Sequence, residues 1–199
     1  MSTPVKLNDI TYLAPTWQDM GELTFGLAQQ IIKSNLKIDC IVALAKGGLE
    51  WSRTLADYLK VTDLYSIRVQ LYEGIYETSK TPVITQSLPA SIQGKHVLIF
   101  DDIADTGLTL KIAKEYLSHH GPNSLHTATL YYKPWSKFKP DYYGGETDDW
   151  VIFPHDTREM ISLLNHKLTG SLEEKIAQMV EIGISEPQVR FFLSLEEGL

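Results

Sequence analysis

The stretch VLIFDDIADTGLTL, residues 97–110, decides how this chain is read. Val97 to Phe100 are uninterrupted apolar residues, the pattern of a strand buried on both faces of a parallel sheet. Two carboxylates follow, Asp101 and Asp102, then the short turn Ala104-Asp105-Thr106-Gly107 and a helical pattern from about Leu108 to Ser118. Strand, acidic pair, small-residue turn and helix put a ligand at the carboxyl end of a parallel strand, where open α/β sheets bind.

The residue types narrow the ligand. A helix that starts near Thr106 or Gly107 presents unpaired backbone N–H groups and the positive end of its dipole, which suits a phosphate. Gly107 permits close backbone approach, and the hydroxyls of Thr106 and Thr109 add donors. The acids Asp101, Asp102 and Asp105 would repel a bare polyanion, but carboxylates accept from vicinal hydroxyls and coordinate hard cations such as Mg²⁺. A ribose phosphate carries both halves. The plain alternative is a βα turn whose acids only cap the helix.

The motif resembles the phosphoribosyl pyrophosphate (PRPP) loop of type I phosphoribosyltransferases: four apolar residues, two acids, two variable residues, then Asp/Ser-Thr/Ser-Gly-x-Thr. Leu108 departs from the pattern, standing where many relatives carry Lys, Arg or Gly, and offers its backbone N–H alone. The resemblance implies an open, mostly parallel twisted α/β sheet with helices on both faces, a small base-binding hood and a helical C-terminal extension. It also implies PRPP bound through Ala104, Asp105, Thr106, Gly107, Leu108 and Thr109, and a Mg²⁺ cofactor. Relatives are usually dimers or tetramers, so a homodimer or homotetramer is expected.

Upstream, KIDCIVALA (residues 37–45) reads as another buried strand, followed by Lys46-Gly47-Gly48 and a helix to about Leu59. Glycines that free the backbone N–H groups, beside a fixed positive charge, make a pyrophosphate cradle. In the resemblance this is the loop usually written Arg-Gly-Gly. Lys46 keeps the charge and loses the bidentate fork. Relatives carry a non-proline cis bond here, expected at Lys46–Gly47.

Downstream, residues 124–132 read as a strand that ends at Lys133-Pro134, and an aromatic-rich segment follows with Trp135, Phe138, Tyr142, Tyr143, Trp150 and Phe153. The simple reading is a hydrophobic lid. The sharper one is a hood in which an aromatic face stacks on a heterocycle, a gain of roughly 1–3 kcal/mol per base. The segment is similar to the xanthine/hypoxanthine/guanine branch of the family. That similarity implies that Lys133 contacts the purine 6-oxo group, Trp150 and Val151 form the base pocket, and Asp156 joins Asp101 and Asp102 at the metal. His155, in Pro154-His155-Asp156, departs from the branch pattern. Asp105 is then the candidate base beside the purine N7, with Lys133 as the other catalytic candidate.

The remaining chain frames these sites. Met1 to Pro15 reads as a short arm, and Thr16 with Asp19 starts an amphipathic helix to about Asn35. Residues 63–69 read as a strand, and the long Tyr72–Lys95 connection as a mobile loop that closes over the site, with TPVITQ as one arm of a ribbon and Tyr76, Ser79 and Lys80 its residues of interest. Helical patterns fill residues 158–199, with a capping box at Ser171 and Glu174 and a second start at Ser185 and Gln188. A phosphoribosyltransferase domain with its hood over 1–157 and a helical extension over 158–199 is the expected division.

Composition excludes several classes. The chain of 199 residues has 43% hydrophobic and 22% charged residues and a formal net charge of −7, ordinary for a globular protein and unfavourable for general nucleic-acid or membrane-surface binding. One cysteine, Cys40, rules out an internal disulfide framework and reads as a small buried hydrophobe. No apolar run approaches the roughly 20 residues of a membrane span and the first residues lack a signal-peptide core, so a cytoplasmic enzyme is expected. The reading is transfer of phosphoribose to N9 of hypoxanthine, guanine or xanthine. The alternatives are another base, a PRPP-sensing regulator that binds nucleic acid, and an inactive scaffold on the same fold.

Overall fold

The computed structural model describes residues 2–73 and 80–197. Tyr76 and Ser79 lie outside the described residues. The elements, in order, are β1 (Val5–Leu7), β2 (Ile10–Leu13), α1 (Trp17–Lys33), β3 (Cys40–Leu44), α2 (Gly47–Leu59), β4 (Asp63–Glu73), β5 (Lys80–Gln86), β6 (His96–Ala104), α3 (Leu108–Ser118), β7 (Ser124–Tyr132), β8 (Tyr142–Glu146), β9 (Trp150–Val151), α4 (Thr157–Lys167), α5 (Leu172–Glu181) and α6 (Glu186–Glu197). They pack as two compact units, Gly21–Asp148 and Met1–Met20 with Asp149–Leu199, so one division falls inside α1.

The larger unit holds a six-stranded sheet in the order β5-β4-β3-β6-β7-β8. All neighbouring pairs are parallel except β4 with β5. The central strands are hydrophobic on both faces, as parallel strands between helices must be. Cys40, Val42, Leu44, Val97 and Ile99 share one core with Leu110, Ala113 and Leu117 of α3. Their alternates Ile41, Ala43, Leu98 and Phe100 are equally buried on the opposite face. Burial pushes the Cys40 thiol up to about 11, which keeps it an unreactive filler at neutral pH. The β4–β5 ribbon is the expected one, with Val83 opposite Gln70.

Two expectations about strands change. β6 does not stop at the acidic pair: it runs to Ala104, with Ile103 and Ala104 in register with Tyr131 and Tyr132 of β7. Tyr142 and Tyr143 belong to no hood. They lie on β8 at the sheet edge, where α1 covers them: the Tyr142 hydroxyl donates to Ser34 Oγ at 2.9 Å and Gln30 Nε2 to the Tyr143 carbonyl at 3.2 Å.

The smaller unit is built from both ends of the chain. The residues read as an arm form the hairpin β1–β2, turning at Asn8 with φ of 55°. β9 then pairs parallel to β2, Tyr12 opposite Trp150 and Leu13 opposite Val151. Ile161, Leu164, Ile176, Met179, Val189 and Leu193 of α4–α6 share one core with Tyr12 and Ile152. The helices of residues 158–199 therefore have their core in common with the amino-terminal strands. The capping box is formed as read: the Ser171 N–H donates to Glu174 Oε2 at 2.7 Å and the Glu174 N–H to Ser171 Oγ at 3.4 Å.

Candidate active site

Parallel register aligns the carboxyl ends of β3, β6 and β7 along one edge, and each end carries a loop singled out by sequence. The first is Ala45-Lys46-Gly47-Gly48. Its cis peptide bond joins Ala45 to Lys46, one residue earlier than expected. α2 opens at Gly47 with no side-chain cap, and Lys46 is exposed beside it. The helix N-terminus is thus left for an anion.

The glycines have a second reason that the sequence does not show. A Cβ on Gly47 would lie 2.5 Å from the Asp102 carboxyl group, and one on Gly48 would lie 2.5 Å from the Phe100 carbonyl oxygen. The pyrophosphate-type loop and the acidic pair are packed back to back, with no room for a methyl group.

Behind that contact Asp102 is buried and Asp101 half-buried. Removal from water and the neighbouring Asp102 carboxylate hold the Asp101 carboxyl well above the usual carboxylate range, against the backbone N–H groups of Asp102 and Gly48 that favour its charge. The Asp102 N–H reaches Asp101 Oδ1 at 3.0 Å. Two adjacent carboxyl groups at the end of a buried strand suit a pair of hydroxyl donors or a hard cation. An all-oxygen donor set fits Mg²⁺.

The second loop closes β6 onto α3. Asp105 and Thr106 are exposed, and Gly107 takes φ of 75°, a left-handed conformation that glycine adopts without strain. α3 begins after it with no side-chain cap. The Leu108 N–H points to Thr106 Oγ1 at 3.3 Å. The turn therefore has the open helix start expected of a phosphate cradle.

The third loop is a strap, Lys133 to Phe138, laid along the second. The Lys133 N–H donates to the Ala104 carbonyl and the Lys137 N–H to the Thr106 carbonyl, each at 3.1 Å. A Cβ on Gly107 would lie 2.6 Å from Ser136 Oγ and 2.8 Å from the Phe138 nitrogen. The Trp135 indole N–H donates to Asp105 Oδ1 at 2.9 Å. Lys133, only 5% exposed, holds its Nζ 5.1 Å from the Trp135 ring centroid. Trp135 was legible only as one aromatic in a dense run; its place directly after Lys-Pro at a strand end is the signal that could have set it apart.

Trp150, Val151 and Asp156 belong to the smaller unit. Trp150 is 43% exposed, with Lys167 Nζ 5.1 Å from its ring centroid, while Val151 is buried. Asp156 occupies the N-cap position of α4 without a side-chain cap bond, and His155 stacks on Phe153 at 5.1 Å with its Nε2 3.8 Å from Asp156 Oδ2.

Comparison with known proteins agrees with this geometry. Residues 16–160 match the model of the phosphoribosyl transferase domain. The chain is 31% identical over 150 residues to the xanthine-guanine phosphoribosyltransferase of Gluconobacter oxydans, covering 74% of this chain and 86% of that one. It is 32% identical over 143 residues to the hypoxanthine-guanine phosphoribosyltransferase of Canis lupus familiaris, covering 63% and 66%. A crystal structure of a purine phosphoribosyltransferase from Pyrococcus horikoshii superposes with a TM-score of 0.67 at 34% identity, covering 72% of this chain and 93% of that one. The strand-end loops, the sheet order and these matches lead to one conclusion: the chain belongs to the phosphoribosyl transferase family.

Proposed function

We propose that this protein transfers phosphoribose from PRPP to N9 of a 6-oxopurine and releases pyrophosphate. The observation that carries the reading is the packing of Gly47 and Gly48 directly on the Phe100–Asp102 segment, which sets the start of α2 against the acidic pair of the strand that leads into α3. Relatives named for xanthine, guanine and hypoxanthine support the acceptor class.

Each residue has a distinct task in this reading. Lys46, Gly47 and Gly48 hold the pyrophosphate. The backbone of Ala104 to Thr109 and the hydroxyls of Thr106 and Thr109 wrap the 5′-phosphate. Asp101 and Asp102 accept the ribose hydroxyls and are the oxygen ligands offered to Mg²⁺. Bound there, Mg²⁺ would neutralise charge on the departing pyrophosphate. Lys133 donates to the 6-oxo group and meets the amino group of adenine donor to donor, a polar mismatch that discriminates strongly. Asp105 accepts the proton that leaves N7 as N9 bonds to the ribose carbon and the carbon–pyrophosphate bond breaks. A homo-oligomer is part of the same proposal.

The test is pyrophosphate release from PRPP with hypoxanthine, guanine or xanthine, with and without a chelator. Turnover that the chelator abolishes and Mg²⁺ restores is the expected result. Tight PRPP binding without turnover on any base would instead favour a regulator.

A further inference from the structure

Asp105 poses a positional problem. Its side chain is exposed at the turn between β6 and α3, yet its proposed task demands a fixed carboxylate. A carboxylate free to change rotamer spends much of its time away from the proton it must receive. Lys133 poses the converse problem, because its long side chain must end at one point.

One side chain addresses both. The edge of the Trp135 indole donates to Asp105 Oδ1 at 2.9 Å, while its ring lies 5.1 Å from the Lys133 ammonium. A hydrogen bond to an ionised carboxylate is a strong one, and a cation over an indole face is the favoured cation–π geometry. Trp135 is itself 54% exposed, so burial does not explain its position. Its backbone is what is pinned: Lys133 to Ala104, Lys137 to Thr106, and Ser136 and Phe138 wedged on Gly107.

We propose that Trp135 is a positioning residue that sets the spacing between Asp105 and Lys133. On a 6-oxopurine, N7 and the 6-oxo group are neighbours on one edge of the bicycle. An acceptor for the first and a donor for the second must therefore keep a fixed separation, and the indole supplies it by holding the acceptor at its edge and the donor over its face. The proposal rests on the roles given above to Asp105 and Lys133.

The experiment is a double-mutant cycle of Trp135→Phe with Asp105→Ala, read as kcat and KM for PRPP and hypoxanthine in the full-length protein. Phenylalanine keeps a ring for Lys133 and removes the N–H. Trp135→Phe should lower kcat about tenfold, the scale of one hydrogen bond to a charged group, with KM for PRPP within about twofold. In the Asp105→Ala background the same change should move kcat by less than about twofold, because the partner through which it acts is gone. Trp135→Leu, which loses the ring as well, should add a rise of about fivefold in KM for hypoxanthine. A purely structural role would give additive losses in the cycle, and that result overturns the proposal, as does wild-type kcat in Trp135→Phe. If Asp105→Ala alone leaves kcat unchanged, the underlying assignment of Asp105 fails instead.

Discussion

The two packed units of this protein are made by opposite rules. The larger one, Gly21–Asp148, is built from strand–loop–helix segments that are each contiguous in sequence. The smaller one joins residues 1–20 to 149–199 through the parallel pairing of β2 with β9, Tyr12 opposite Trp150 and Leu13 opposite Val151, and through a shared apolar core. The first kind of unit announces itself locally, because each strand end and helix start is written in neighbouring residues. The second depends on a pairing across more than a hundred residues of chain, for which no local pattern exists.

The difference can be broken from either side. Met179 is fully buried in the smaller unit's core, and Met179→Ala should cost about 3 kcal/mol. Thermal denaturation checks the loss, and KM for PRPP should stay within about twofold because the loops proposed to hold PRPP are assembled from other elements. A marked rise in that KM would erase the separation. Gly48→Ala should act in reverse. The new methyl meets the Phe100 carbonyl, a backbone atom that cannot rotate away, so about 1–3 kcal/mol of stability is lost. Steady-state kinetics should also show KM for PRPP raised by about tenfold or more, as the two loops are forced apart.

The smallest effect sharpens the comparison at the start of α1. The Thr16 N–H and hydroxyl donate to Asp19 Oδ2 at 2.9 and 2.8 Å, the Asp19 N–H returns a bond to Thr16 Oγ1 at 3.1 Å, and Ser2 Oγ donates to the same carboxylate at 2.7 Å. The backbone bond from Thr16 and then the Ser2 hydroxyl hold this carboxyl well below the usual range. A lowered folded-state value means stability that is fully present above the unfolded value of about 3.9 and is lost as pH falls through the folded one. Asp19→Ala should therefore cost about 1 kcal/mol at neutral pH, and denaturant titrations should show the gap to wild type closing only in strong acid.

These cases show what was legible. The start of α3 at Leu108 is legible in the turn residues before it. The Lys46-Gly47-Gly48 loop reads as a source of free N–H groups, but the closer constraint on its glycines is steric and comes from Phe100 and Asp102, roughly a quarter of the chain away. The apolar run Val97 to Phe100 puts the acids at the strand end; in the structure, pairing with β7 carries β6 past them to Ala104. The arm at residues 1–15 was unreadable as a hairpin because its strands are three and four residues long and need β9 beside them. The aromatic run after Lys133 was legible as dense but not as divided. Trp135 is joined to Asp105, Tyr142 and Tyr143 lie on the main sheet, and Trp150 and Phe153 fall in the smaller unit.

The most direct test of the central claim is the ratio of kcat/KM for hypoxanthine, guanine and xanthine to that for adenine, measured by pyrophosphate release with PRPP and Mg²⁺. A donor such as Lys133 facing position 6 predicts a ratio of about 10⁴ or more for at least one 6-oxopurine, since a site built around a polar contact rejects the mismatched group strongly. Comparable turnover of adenine, or turnover confined to a pyrimidine, would contradict the base assignment while leaving the phosphate cradle in place.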